Sequence, residues 1–168
     1  MKALMRKTIV LMVLLSLCGC AGNSRAKKLV GSPAPYAHMT MFDGSIQVLD
    51  QAKGKVAVVA FWSSWCNNSR PVVEELNEFA KTARNRHKFV VYAVSLDKSE
   101  DYEALKEKIV YRKLDSVQHV FSGNEGYDEL FMAFHGDTFP LVIVIDQKGV
   151  VRAVGEDAET ALAILRTL

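Results

Sequence analysis

The stretch Val56-Ala57-Val58-Val59-Ala60-Phe61-Trp62-Ser63-Ser64-Trp65-Cys66-Asn67-Asn68-Ser69-Arg70 decides how this chain is read. Its first six residues form a continuous apolar run with β-branched side chains, the pattern of a central strand buried on both faces. Beyond Trp65 the period changes. Val72, Val73, Leu76, Phe79, Ala80 and Ala83 recur at helical spacing, so a helix is expected from about Cys66 to Arg86. A thiol at such a strand-to-helix junction meets unpaired N–H groups and the positive end of the helix dipole, and both favour thiolate. Pro71 sets a condition on this geometry. Inside a helix beginning at Asn67 it would lack a donor and crowd the carbonyl four residues back, which would start the helix later and leave Cys66 in the preceding turn.

Outward from this stretch the elements alternate. Toward the N-terminus, Tyr36 to Met41 and Ser45 to Leu49 flank Asp43-Gly44, a dipeptide suited to a tight turn, and predict a β-hairpin. Toward the C-terminus, Phe89 to Ser95 reads as a strand and Ser99 to Val110 as a helix, with Tyr102, Leu105 and Ile109 on one face. Val117 to Phe121 is a short strand, and Tyr127, Leu130, Phe131 and Phe134 mark another helix. Leu141 to Ile145 and Val150 to Val154, joined through Asp146-Gln147-Lys148-Gly149, make a closing hairpin before a last helix carrying Ala158, Ala161, Leu162, Leu165 and Leu168. The order predicts an α/β domain with a mixed sheet flanked by helices.

The first residues carry a different message. Lys2, Arg6 and Lys7 precede an apolar run from Thr8 to Leu17, the form of a secretory signal too short to span a bilayer as a mature helix. Leu17-Cys18-Gly19-Cys20 resembles the lipobox of bacterial lipoproteins, which implies cleavage before Cys20 and lipid on its sulfur and amino group. The expected organisation is a signal peptide over 1–19, a lipidated tether over 20–32 and one domain over 33–168. Residues 21–32 read as a flexible leash, being small and polar with a few cations. Of the 21 Lys and Arg, three leave with the signal, so 18 face 19 acidic residues, and the mature chain gives no electrostatic argument for nucleic-acid binding. Of three cysteines, Cys18 is removed and Cys20 blocked. Cys66 is then the single thiol and no internal disulfide can form.

From about Gly31 to the C-terminus the chain resembles the TlpA/ResA group of exported thioredoxin-like thiol-disulfide proteins. The resemblance rests on Gly31-Ser32-Pro33-Ala34-Pro35, Phe42-Asp43-Gly44, Lys53-Gly54-Lys55-Val56, Phe61 to Cys66, Val94-Ser95-Leu96-Asp97, and Phe139-Pro140 leading to Asp146 and Gly149, in that order. It implies a thioredoxin-like fold, with Cys66 as nucleophile and a cis bond before Pro140. That loop would lie against the cysteine and offer the backbone around Phe139 for strand-like pairing with a substrate. The chain also departs from the group. Ser69 stands in place of the resolving cysteine, Ala60 where many relatives carry a buried Asp or Asn, and Glu74 where a kinking proline is common.

These departures bound the chemistry. A lone thiolate can form a mixed disulfide, carry a small thiol, or shuffle disulfides when the substrate's own thiol resolves the intermediate. It cannot alone complete net reduction or oxidation of a protein disulfide, so a full dithiol reductase cycle is not expected and enzymatic status stays open. Ser69 can donate its hydroxyl to the thiolate. Trp65, Phe139 and Pro140 are candidate binding residues for a polypeptide partner, Trp62 is divided between core packing and shielding the thiol, and Arg70 reads as a solvated helix charge. His38, His87, His119 and His135 show no metal-ligand spacing, and no cofactor is called for. His135 reads as a solvated loop residue, Glu74-Glu75 and Lys98 to Lys108 as solvated helix faces. The expected function is monothiol exchange through Cys66 in the bacterial envelope. The alternative is a non-catalytic binding module docking a polypeptide near Trp65 and Pro140. Ala21 after Cys20 favours the periplasmic face of the outer membrane, by resemblance to lipoprotein sorting rules.

Overall fold

In the computed structural model, which describes residues 23–49, 54–82 and 87–167, the apolar run becomes a strand whose two faces are both covered. The described strands are β1 (His38–Thr40), β2 (Ile46–Val48), β3 (Val56–Trp62), β4 (Phe89–Ser95), β5 (Gln118–Phe121), β6 (Leu141–Ile145) and β7 (Val151–Gly155). The α-helices are α1 (Ser24–Lys27), α2 (Ser69–Lys81), α3 (Tyr102–Tyr111), α4 (Glu129–Ala133) and α5 (Ala158–Leu165), with 3-10 turns at Ser99–Asp101 and Glu125–Tyr127. A five-stranded sheet runs β5-β4-β3-β6-β7, parallel between β5, β4 and β3 and antiparallel from β3 through β6 to β7. The fold is thioredoxin-like α/β, with β1 and β2 as a separate N-terminal hairpin.

Strand alternation on β3 divides the core. Val56, Val58, Ala60 and Trp62 face Val72, Val73 and Leu76 of α2 and Leu105 of α3, while Ala57, Val59 and Phe61 face Leu130, Phe131 and Phe134 around α4. Trp62 is therefore a core side chain, and Ala60 belongs to an apolar layer. In the hairpin Gly44 takes the positive φ of 84° that the turn requires, and Asp43 accepts the Ser45 N–H at 2.9 Å.

Three expectations change. The helix after β3 starts at Ser69 instead of Cys66, which leaves Pro71 in its first turn, where a backbone donor has no intrahelical partner anyway. Its expected end falls partly on 83–86, outside the described residues. Tyr127 is exposed in a 3-10 turn, because the short helix that buries Leu130 and Phe131 begins only at Glu129.

The largest correction concerns the leash. Residues 23–32 are seated on the domain: Asn23 and Ala26 are buried, Gly31 N–H donates to Val151 O at 2.8 Å, and Val151 N–H donates to Ser32 O at 2.9 Å. Small polar residues resemble a linker in composition, but here they satisfy the backbone of β7. The signal segment over 1–19, Cys20 and Leu168 lie outside the described residues. No described helix is long and apolar enough to cross a membrane.

Candidate active site

Parallel pairing of β3 with β4 sets Trp62 opposite Ser95, so the residues just past the two strands meet at one end of the sheet. There Asp97, fully buried, accepts hydrogen bonds from the Ser63 hydroxyl at 3.0 Å, the Ser64 N–H at 2.9 Å, the Ser64 hydroxyl at 2.7 Å and the Ser95 hydroxyl. Lys108 of α3 donates to the Ser64 carbonyl at 3.3 Å and approaches its hydroxyl at 3.4 Å. A buried carboxylate needs such donors to offset the loss of water. The junction loop that carries the cysteine is thus built on a charge-assisted hub. The pattern of strands and helices along the chain assigns Asp97, Ser63 and Ser64 no role and places Lys108 on a solvated face. The available signal was a carboxylate two residues past one buried strand and two serines just past another.

Cys66 follows in the same loop and is the free cysteine among the described residues, partly exposed to solvent. Its N–H donates to Ser63 O at 3.1 Å and its carbonyl accepts from Arg70 N–H at 3.3 Å, which closes the turn leading into α2. Burial pushes the Cys66 thiol up. Hydrogen bonding from the Ser69 hydroxyl and from the backbone N–H groups of Ser69 and Asn68, together with the Arg70 charge, outweighs it and holds the thiol below its ordinary value. Ser69 has a second role. Its oxygen, 0% exposed with the rest of the side chain, accepts the Ser63 N–H at 3.1 Å and lies 3.4 Å from Ser63 O. The hydroxyl therefore holds the loop as well as favouring the thiolate.

The candidate residues Trp65, Phe139 and Pro140 gather at the thiol's end of the sheet. β6 pairs antiparallel with β3, Leu141 opposite Phe61, so Pro140 falls at the same end of the sheet as the cysteine loop. The Phe139–Pro140 bond is cis. Trp65, 61% exposed, meets the Phe139 ring edge-on at a centroid distance of 5.6 Å. Trp65 and Phe139 thus form an aromatic rim next to Cys66. His135 stands in the solvent-exposed turn after α4. Arg70 hydrogen-bonds Asn67 and contributes to the thiol environment, so it is more than a solvated charge. Lys108 and Glu74, which pairs with Arg112 across from α2 to α3, likewise depart from purely solvated faces.

A sheet of this order, with a cysteine ahead of the helix that follows β3 and a cis-proline ahead of β6, defines a thioredoxin-like protein. The chain belongs to the thioredoxin-like family, whose profile matches residues 54–151. Two relatives span almost the full length. The thioredoxin-like protein YneN of Bacillus subtilis is 24% identical over 159 residues, covering 90% of both chains. The thiol-disulfide oxidoreductase ResA of Bacillus cereus is 24% identical over 160 residues, covering 89% of this chain and 88% of its own. Among solved structures, the thioredoxin domain of a thiol-disulfide oxidoreductase from Bacteroides vulgatus superposes with a TM-score of 0.68 at 23% identity, covering 82% of this chain and 96% of that one, a likeness of fold.

Proposed function

We propose that this protein performs monothiol exchange through Cys66 while tethered to the bacterial envelope. The observation that carries the reading is a partly exposed thiol with a lowered pKa, beside an exposed aromatic rim, with a serine in the resolving position. The Cys66 thiolate attacks a disulfide R–S–S–R′, forming Cys66–S–S–R and releasing R′–S⁻. A third thiolate then attacks the R sulfur, takes R into a new disulfide and returns Cys66 as thiolate. When that third thiolate belongs to the substrate the result is isomerisation. When it is a small thiol, the pair of exchanges passes oxidising equivalents between polypeptide and small-thiol pool. Ser69 takes no part as a sulfur donor.

The tether proposal places lipid on Cys20, at the periplasmic face of the outer membrane. Two residues separate Cys20 from the buried Asn23, three Cα-to-Cα steps with a reach of about 11 Å at full extension, so the anchored domain would stand close to the bilayer with its cysteine end nearby. The exposed Trp65 also suits the second reading, a binding module that docks a polypeptide at the Trp65 and Pro140 rim without chemistry.

Rapid alkylation of intact cells followed by non-reducing mass spectrometry separates the two. Thiol exchange predicts a fraction of Cys66 held as a mixed disulfide with a polypeptide or small thiol. A wholly reduced Cys66, with partner binding that survives Cys66→Ser, would establish the binding module instead.

A further inference from the structure

Asn23 is buried and left-handed, with φ of 52°, immediately before α1, yet its side chain makes no cap to that helix. Its side-chain hydrogen bonds instead reach more than a hundred residues along the chain. Its carbonyl oxygen accepts the N–H of Asp137 at 3.1 Å and of Thr138 at 3.2 Å, and its amide nitrogen donates to the Thr138 hydroxyl at 3.3 Å and to Glu156 at 3.5 Å. Thr138 is followed directly by Phe139, whose ring rests against Trp65, and by Pro140. Arg25 adds an ion pair to Asp137, but that pair is exposed and contributes little. The desolvated amide is the contact that orders this loop, since a buried group with all its partners in place is costly to disturb.

We propose that Asn23 is a positioning residue for partner recognition: its buried amide holds the Asp137–Thr138 backbone and thereby sets Phe139 and Pro140 against Trp65 and Cys66. The inference rests on the reading that Cys66 exchanges with a polypeptide disulfide. It makes the segment just after the proposed lipid site a structural part of the partner groove, although Asn23 touches no reacting atom.

The test compares two reagents with one leaving group. In the full chain carrying Cys18→Ser and Cys20→Ser, Cys66 is reacted with Ellman's reagent and with a short peptide whose cysteine is capped by the same thionitrobenzoate. In both cases the Cys66 thiolate forms a new disulfide and thionitrobenzoate is released and read by absorbance. The wild-type chain is expected to prefer the peptide. Asn23→Ala is expected to lower the ratio of peptide to reagent rate by about tenfold, on the order of the net contribution of one or two hydrogen bonds, and to speed amide exchange at Asp137 and Thr138. Asn23→Asp with Glu156→Gln, which keeps both acceptor contacts and gives the new carboxylate an amide in place of the Glu156 carboxylate at 3.5 Å, is expected to restore most of the ratio. A ratio that stays at the wild-type value in Asn23→Ala, or two rates that fall together, would overturn the assignment of Asn23 alone. A wild-type chain with no peptide preference would overturn the groove reading and the role of Asn23 with it.

Discussion

Restoring a second sulfur by Ser69→Cys sets two effects of one atom against each other. The Arg70 N–H to Cys66 carbonyl bond closes the turn at 3.3 Å, so positions 66 and 69 lie about one helical turn apart, roughly 5–6 Å between Cβ atoms before side-chain adjustment. That is near the range a disulfide needs. With an added oxidant taking two electrons, Ser69→Cys is therefore expected to lose two hydrogens as Cys66 bonds to the introduced sulfur, and the reduced variant to show dithiol reductase turnover. The cost arises at Ser63. Its N–H, buried with the rest of the residue, donates to the Ser69 oxygen at 3.1 Å, and a thiol is a weak acceptor at a longer distance. Leaving that donor poorly satisfied costs about 1–3 kcal/mol, which for a domain of this size lowers Tm by roughly 3–10 °C in the reduced state. Urea unfolding of the reduced variant and of Ser69→Ala, in the Cys18→Ser, Cys20→Ser background, measures it. Reduced variants as stable as the parent would refute the loop-holding role of Ser69. Failure to form the internal disulfide under oxidising conditions would refute the turn geometry that puts α2 after Cys66.

Three further outcomes follow from the same geometry. Arg70→Gln and Ser69→Ala each remove a group that holds the Cys66 thiol down; both should move the pH midpoint of iodoacetamide alkylation upward, and an unchanged midpoint in both would show that these groups do not set the thiol. Asp97→Ala should be the most damaging single change at the site, about 3 kcal/mol or more, because it leaves three serine hydroxyls and the Ser64 N–H without their acceptor; Lys108→Met should cost less than half as much by urea unfolding. His119, half-buried with Nε2–H donating to Leu114 O at 2.6 Å, has its pKa lowered by burial from 6.5 despite that bond. The unfolded chain therefore binds this proton first, and stability present above pH 6.5 is lost as pH falls toward the folded-state value; His119→Gln should flatten that part of the stability profile, and a wild-type profile flat below pH 6.5 would contradict it.

Much of this protein was legible along the chain because its signals are local. The apolar run at Val56 to Phe61 carries the pattern of a doubly buried strand, Asp43-Gly44 suits a tight turn, and Ser69 in the position of a second cysteine limits what Cys66 can do with its near neighbour. The expectation that the Phe139–Pro140 loop lies near Cys66 came from resemblance, and the β3–β6 register accounts for both falling at one end of the sheet.

What the sequence could not decide depends on which distant segments meet. Ser63, Ser64 and Asp97 are unremarkable loop residues until parallel pairing of β3 and β4 brings them to one end of the sheet, where loss of water makes a carboxylate and its donors interdependent. Residues 23–32 have a linker's composition, and only tertiary structure turned them into a seated strap with Asn23 at its head. Composition reports what a segment prefers in water; it does not report that unpaired backbone groups on Asp137, Thr138 and Val151 wait for partners more than a hundred residues away. That Ser69 stands where a resolving cysteine is expected was therefore legible in the sequence, whereas the shape and order of the surface beside Cys66 were set by the fold.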